Sequence, residues 1–135
     1  MAVTASGSLH WEGGERFTGT SPRGTPVTFD GAALDGASPV TTLLLAGGAC
    51  AAVDVVLILE KMQVRLTSLD VRAEGQRREE HPRRFTAIHY EFEAAGEGLD
   101  QARLERAVAL SVEKYCSVLA SLAPDIAITH ASRVR

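Results

Sequence analysis

From Ser38 to Met62 the chain reads SPVTTLLLAGGACAAVDVVLILEKM, and no other stretch limits its fold as strongly. Ser38 followed by Pro39 is a helix start, because serine caps free amides and proline tolerates the first helical position, where no amide donor is needed. A helix from Pro39 to about Met62 follows, about 36 Å long at the α-helical rise. On a helical projection Leu43, Gly47, Cys50, Asp54, Leu57 and Lys61 share one stripe, while Leu44, Leu45, Val55, Val56, Ile58 and Leu59 point in other directions. A helix apolar almost all round must be covered on several sides. One small sheet from a chain of 135 residues covers it poorly. The segment therefore predicts an obligate homodimer whose sheets enclose the long helices.

Val40 to Leu59 is also as long as a bilayer-spanning helix, which needs about 20 apolar residues. Asp54, the two threonines and Gly47-Gly48 count against a span. A lone carboxylate at mid-bilayer is costly, and the rest of the chain reads as strands and an amphipathic helix that need a core partner. No membrane partner is expected.

Before the long helix, extended pieces around Val3 to Trp11, Arg16 to Thr20 and Pro26 to Phe29 are punctuated by glycine and proline, so residues 1–30 read as an antiparallel meander. After it, Val64 and Leu66 alternate with polar residues, then slip phase near Thr67-Ser68, which predicts a bulge in a half-buried strand. Arg72 to Arg84, RAEGQRREEHPRR, reads as a solvated hairpin tip, and the next strand sets Ile88, Tyr90 and Phe92 against His89, Glu91 and Glu93, giving a hairpin over 64–95. Asp100 caps a second helix over 100–116, with Leu104, Val108, Ser111/Val112 and Tyr115 at helical spacing, and a last strand runs over 126–133. These elements predict one α+β domain over 1–135, with antiparallel sheets wrapped around long central helices.

Fourteen basic against seventeen acidic residues give a formal charge of -3, so no overall field favours nucleic acid. MAVTASGSLHWEGG lacks the basic flank and apolar core of a secretory signal, so a cytoplasmic protein with reduced thiols is expected. His10, His81, His89 and His130 show no metal-ligand spacing, and no metal or organic cofactor is expected. His89 reads as a solvated or dimer-facing imidazole, and Glu113, near Cys116, as half of a helix-surface ion pair.

The two cysteines carry the chemistry, or none does. Cys50 and Cys116 match no CxxC spacing. One reading takes both as small buried hydrophobes; the other makes one a peroxide-reducing thiolate and the other the thiol that traps its sulfenic acid as a disulfide. A mid-helix cysteine cannot borrow the free amides of a helix start, so a reactive Cys50 needs a cation, and Arg16 and Arg23 are the upstream candidates. Gly47-Gly48, each costing about 1 kcal/mol against alanine in a helix, allow either close packing or room for a substrate. Asp54, one turn after Cys50, needs a partner if buried.

SPVTTLLLAGGACAAVDVVLILEKM and LERAVALSVEKYCSVLASLAPDIAI, with EHPRRFTAIHYEFEA between them, resemble the two cysteine helices and the intervening strand of the family of osmotically inducible protein C and the organic hydroperoxide resistance proteins. The resemblance runs from about Trp11 to the C-terminus. It implies an intertwined homodimer that reduces organic hydroperoxides, with Cys50 as the peroxidatic nucleophile, Cys116 as the resolving cysteine, and an external dithiol as the reductant. Arg16, after WEGGE, best matches the arginine that stabilises the thiolate, with Arg23 second. Many members carry a glutamate nine or ten residues before the first cysteine, where Val40 and Thr41 stand here. Thr41 can accept a hydrogen bond from a guanidinium but adds no charge. Gly47, Gly48 and Thr41 are the expected substrate contacts. The competing reading of the same fold is a dimeric module that binds a small ligand beside Gly47-Gly48 without turnover.

Overall fold

In a computed structural model, which describes residues 2–135, three strands open the chain: β1 (Ser8–Gly13), β2 (Arg16–Thr20) and β3 (Pro26–Asp30). They form an antiparallel sheet in the order β1-β2-β3, with a bulge between Trp11 and Gly13. Asp30 ends β3 and is buried, and its carboxylate accepts the amides of Ala32, Leu34 and Asp35, which shapes the loop that follows. An isolated bridge from Phe29 to Ala37 returns the chain to the sheet. The long helix α1 spans Pro39–Lys61, and Ser38 caps it as expected, its hydroxyl accepting the Thr41 amide at 3.2 Å.

The chain divides into two compact units, one ending at Leu43 and one running from Leu44 to Arg135, so the division falls inside α1. The second unit holds β4 (Arg65–Arg77), β5 (Phe85–Glu97), α2 (Gln101–Leu110), a π-turn (Ser111–Tyr115), α3 (Ser117–Ala120) and β6 (Ala127–Val134). β4 and β5 pair antiparallel, with the expected register shift between Leu66 and Ser68. The strand runs further than the sequence suggests. Arg72 to Arg77, read as part of a turn, continue β4, because each faces a β5 residue and the Arg72–Glu91 ion pair spans the ladder.

β6 joins β5 parallel, from Ala87 opposite Ala127 to Ala94 opposite Val134, so the second sheet is mixed. A parallel neighbour requires a crossover, which α2, the π-turn and α3 supply. Asp100 caps α2 by accepting the Arg103 amide at 2.8 Å. The core of this unit is Ile88, Tyr90, Phe92 and Ala94 of β5, Leu104, Ala107 and Val108 of α2, and Ala51, Val55 and Leu59 of α1, all at 2% exposure or less. Each large side chain among them contributes about 1.5–3 kcal/mol by leaving water.

Only one stripe of α1 is covered. Gly47, Gly48, Ala51, Val55 and Leu59 are buried at near-helical spacing, whereas Leu43, Leu45, Val53, Val56 and Leu57 stay exposed. By length and composition alone α1 could cross a membrane.

Candidate functional site

Cys50 sits at the edge of the covered stripe of α1, half-buried, with Asp54 half-buried one turn on. The stripe drawn from the sequence is thus rotated. Leu43, Leu57 and Lys61, grouped with Cys50 there, face solvent, and Ala51, Val55 and Leu59 face the core.

Gly47 and Gly48 lie one turn before Cys50, against β5. A side chain on Gly47 would strike the Tyr90 hydroxyl and meet Leu119 at 3.0 Å; one on Gly48 would meet the Tyr90 ring at 3.1 Å. Of the two explanations for the glycine pair, the coordinates give close packing: the space beside it is filled by Tyr90 and Leu119. The Tyr90 hydroxyl donates to the Leu44 carbonyl at 2.8 Å. Burial, and then the charge of a Cys116 thiolate, push the phenol up to about 12. Tyr90 is therefore a neutral donor at any working pH.

Cys116 arrives by an irregularity that helical periodicity does not foresee. The second helix was expected to run unbroken over 100–116. Instead α2 stops at Leu110 and Ser111–Tyr115 form a π-turn, closed by the Cys116 amide donating to the Ser111 carbonyl at 2.8 Å. A π-turn spans five residues where an α-turn spans four, so the position above Ser111 falls to Cys116 rather than Tyr115. Tyr115, expected on the core stripe, is 52% exposed with Lys114 over its ring, and Cys116 is buried.

Both cysteines are free thiols. Cys116 Sγ is 3.8 Å from the Gly47 carbonyl, one turn before Cys50. Burial pushes the Cys116 thiol up, the Leu119 and Val118 amides pull it down, and the neighbouring Cys50 side chain pushes it up. Ser111, wholly buried, donates to the Ala51 carbonyl at 2.7 Å and lies 3.4 Å from Asp54 Oδ2, which is where Asp54 finds its partner. Glu113 bonds not within its helix but to His130 of β6, Oε2 to Nε2 at 2.9 Å.

In the first unit, Arg16 pairs with Asp35 at 3.5 Å and donates to the Glu12 carbonyl at 3.3 Å. Asp35 belongs to the loop tied by Asp30, whose carboxyl is held below its usual range by the Asp35 and Ala32 amides, then by the Leu34 amide and the Arg16 charge, against the opposing effect of burial. The Thr41 hydroxyl accepts from Ser38 at 3.0 Å within the cap of α1. Arg23 lies exposed in the turn between β2 and β3.

Among the described residues, no group of three or more His, Cys, Asp or Glu side chains could hold a metal. His89 accepts from or donates to Thr129 across the sheet, Nδ1 to Oγ1 at 2.7 Å. A groove of about 580 Å³ crosses the outer face of the second sheet past Arg72, Glu91, Glu93 and Arg133. Its Arg72–Glu91 and Arg133–Glu93 pairs satisfy their own charges, as on a solvated surface.

Tyr90 and Ser111 read in the sequence only as core positions. A tyrosine alternating with Ile88 and Phe92 on a core face, and a serine within the Leu104-Val108 stripe, were the available signals, since a buried hydroxyl must find a partner.

The model of the OsmC-like protein family matches residues 30–131. The protein YhfA of Escherichia coli strain K12 is 42% identical over 127 residues, spanning 93% of this chain and 95% of its own. A hypothetical protein from Aquifex aeolicus VF5 superposes with a TM-score of 0.89 at 30% identity, over 99% of this chain and 98% of that one. The organic hydroperoxide resistance protein OhrB of Bacillus subtilis shares the fold at a TM-score of 0.64 and 15% identity, over 97% and 98% of the two chains.

Proposed function

The chain belongs to the OsmC-like protein family, and on that premise we propose that it is a thiol-dependent peroxidase reducing organic hydroperoxides to alcohols. What supports this reading is the seating of the buried Cys116 against the Gly47 carbonyl, one turn before Cys50 on α1. The roles follow from access. Cys50, at the edge of the covered stripe, is the sulfur a substrate can approach, while Cys116 is buried with its thiol pushed up and is suited to wait as the resolving partner.

In the proposed cycle the Cys50 thiolate attacks the distal oxygen of the hydroperoxide. The O–O bond breaks, the alkoxide leaves and takes a proton to become the alcohol, and Cys50 is left as a sulfenic acid. The Cys116 sulfur then displaces hydroxide from Cys50, forming the disulfide and, with the thiol proton, water. An external dithiol restores both thiols. Arg16 is the cation assigned to the thiolate, and Asp35, on a loop tied by Asp30, stands in for the glutamate absent at Val40 and Thr41. The working form is a cytoplasmic homodimer without cofactor.

The alternative, a non-enzymatic small-ligand module, needed an open apolar pocket beside Gly47-Gly48. Tyr90 and Leu119 occupy that space, which removes the pocket that module needs and equally leaves no room for a substrate against Gly47-Gly48 themselves. The test is stopped-flow consumption of cumene hydroperoxide by the reduced protein. Wild type should turn over and acquire a Cys50–Cys116 disulfide visible by mass after digestion, and Cys50→Ser should do neither. Survival of both thiols in a modest excess of peroxide would overturn the proposal.

A further inference from the structure

The π-turn carrying Cys116 is fastened to α1 at two points, one turn apart, on either side of Cys50. Below, the Ser111 hydroxyl donates to the Ala51 carbonyl at 2.7 Å; above, Cys116 Sγ meets the Gly47 carbonyl at 3.8 Å. Within its own segment, the Ser111 carbonyl accepts the Cys116 amide at 2.8 Å and so closes the five-residue turn. One residue thus grips the neighbour of Cys50 with its side chain and the amide of Cys116 with its main chain. An α-turn from Ser111 would end at Tyr115, placing a phenol where the sulfur now lies.

We propose that Ser111 is a positioning residue for disulfide formation, its hydroxyl anchoring the π-turn so that Cys116 stands over the turn of α1 that bears Cys50. The proposal rests on the two-cysteine peroxidase reading. In the step concerned, the Cys116 sulfur forms the S–S bond as the S–O bond of the Cys50 sulfenic acid breaks, and the hydroxide released leaves as water with the Cys116 proton. Cys116 must reach the back of that S–O bond, and a loss of alignment of even about an ångström costs such a step on the order of a hundredfold. Nothing in the hydroperoxide step itself calls on Ser111.

Alanine at this position fills nearly the same space and is the better helix former, so Ser111→Ala should fold, as a melting curve will show. Ser111→Thr keeps the hydroxyl. Reduced protein is mixed with one equivalent of cumene hydroperoxide, and disulfide formation is followed by quenching and mass analysis, with dimedone added in a parallel run to trap sulfenic acid. In Ser111→Ala the disulfide should form at least tenfold more slowly than in wild type while the dimedone adduct on Cys50 accumulates; Ser111→Thr should restore most of the disulfide rate. A general loss of structure would depress both products together and would not be repaired by threonine. Disulfide formation at the wild-type rate in Ser111→Ala, or equal slowing in Ser111→Thr, overturns the positioning role and leaves the peroxidase reading standing. Absence of both sulfenic acid and disulfide in wild type overturns both.

Discussion

A thiol attacks only as the thiolate, so the buried, raised Cys116 is a slow nucleophile by design of its surroundings. Two effects raise it, and they behave differently during the cycle. The push from Cys50 belongs to the reduced state, since oxidation to the sulfenic acid changes that side chain. Burial, the larger cause, remains. Below the Cys116 pKa the thiolate fraction grows about tenfold per pH unit, so the disulfide step after a pulse of peroxide should accelerate by about that factor per unit between pH 7 and 9. The direction follows from the shift: a thiol held above its ordinary value keeps gaining thiolate through a range where an ordinary one has begun to level off. Quenched-flow measurement of disulfide against pH tests this, and a plateau already reached by pH 8 would show that Cys116 is not held in its protonated form.

At the level of elements, α1 meets β5 through an exchange of volumes, two glycines on the helix against one tyrosine on the strand. Gly47→Ala gains about 1 kcal/mol of helix propensity. Against this, the new methyl collides with the Tyr90 hydroxyl and displaces it from the Leu44 carbonyl, costing about 1–3 kcal/mol for overpacking and about as much again for a buried donor left unpaired. The expected net effect is destabilisation by about 2 kcal/mol or more in urea melts. In a Tyr90→Phe background the colliding oxygen is gone, Leu119 becomes the nearest obstacle at 3.0 Å, and the cost should fall by about 0.5–3 kcal/mol. Additive costs would mean that the glycines serve something other than Tyr90. The same contact shows where the sequence is legible and where it is not. The Ser38 cap, the Asp100 cap, the bulge after Leu66 and the buried face Ile88-Tyr90-Phe92 all rest on neighbours close in sequence, and each was readable. The parallel seating of β6, the extension of β4 through Arg77 and the Arg16–Asp35 pair depend on distant partners, and local pattern carried no trace of them. The π-turn lies between these cases: its five-residue closure moves Cys116 inward and Tyr115 outward, against an unbroken helical count.

For the molecule as a whole, the all-round apolar character of α1 sets an unmet demand. The chain's own second unit takes the stripe from Gly47 to Leu59, while Leu45, Val53 and Leu57 keep 54%, 58% and 50% of their surface exposed. Each such side chain forgoes on the order of 1–2 kcal/mol that burial would supply, and scattered single exposures are normal where a row along one helix is not. A second copy offering the same row meets the demand under two-fold symmetry, because each helix then both gives and receives the covering surface. The protein should therefore sediment as a dimer at micromolar concentration. Val53→Glu places a carboxylate in the middle of the row, where pairing two copies would bury two like charges without counterions, so the variant should sediment as a monomer. Val53 is exposed within one chain, and a glutamate there costs the isolated fold little. The separation of the two effects makes the experiment decisive: circular dichroism should report intact helices while sedimentation reports half the mass. A wild type that sediments as a monomer, or a Val53→Glu variant that remains dimeric, would place the cover of α1 somewhere other than in a second copy.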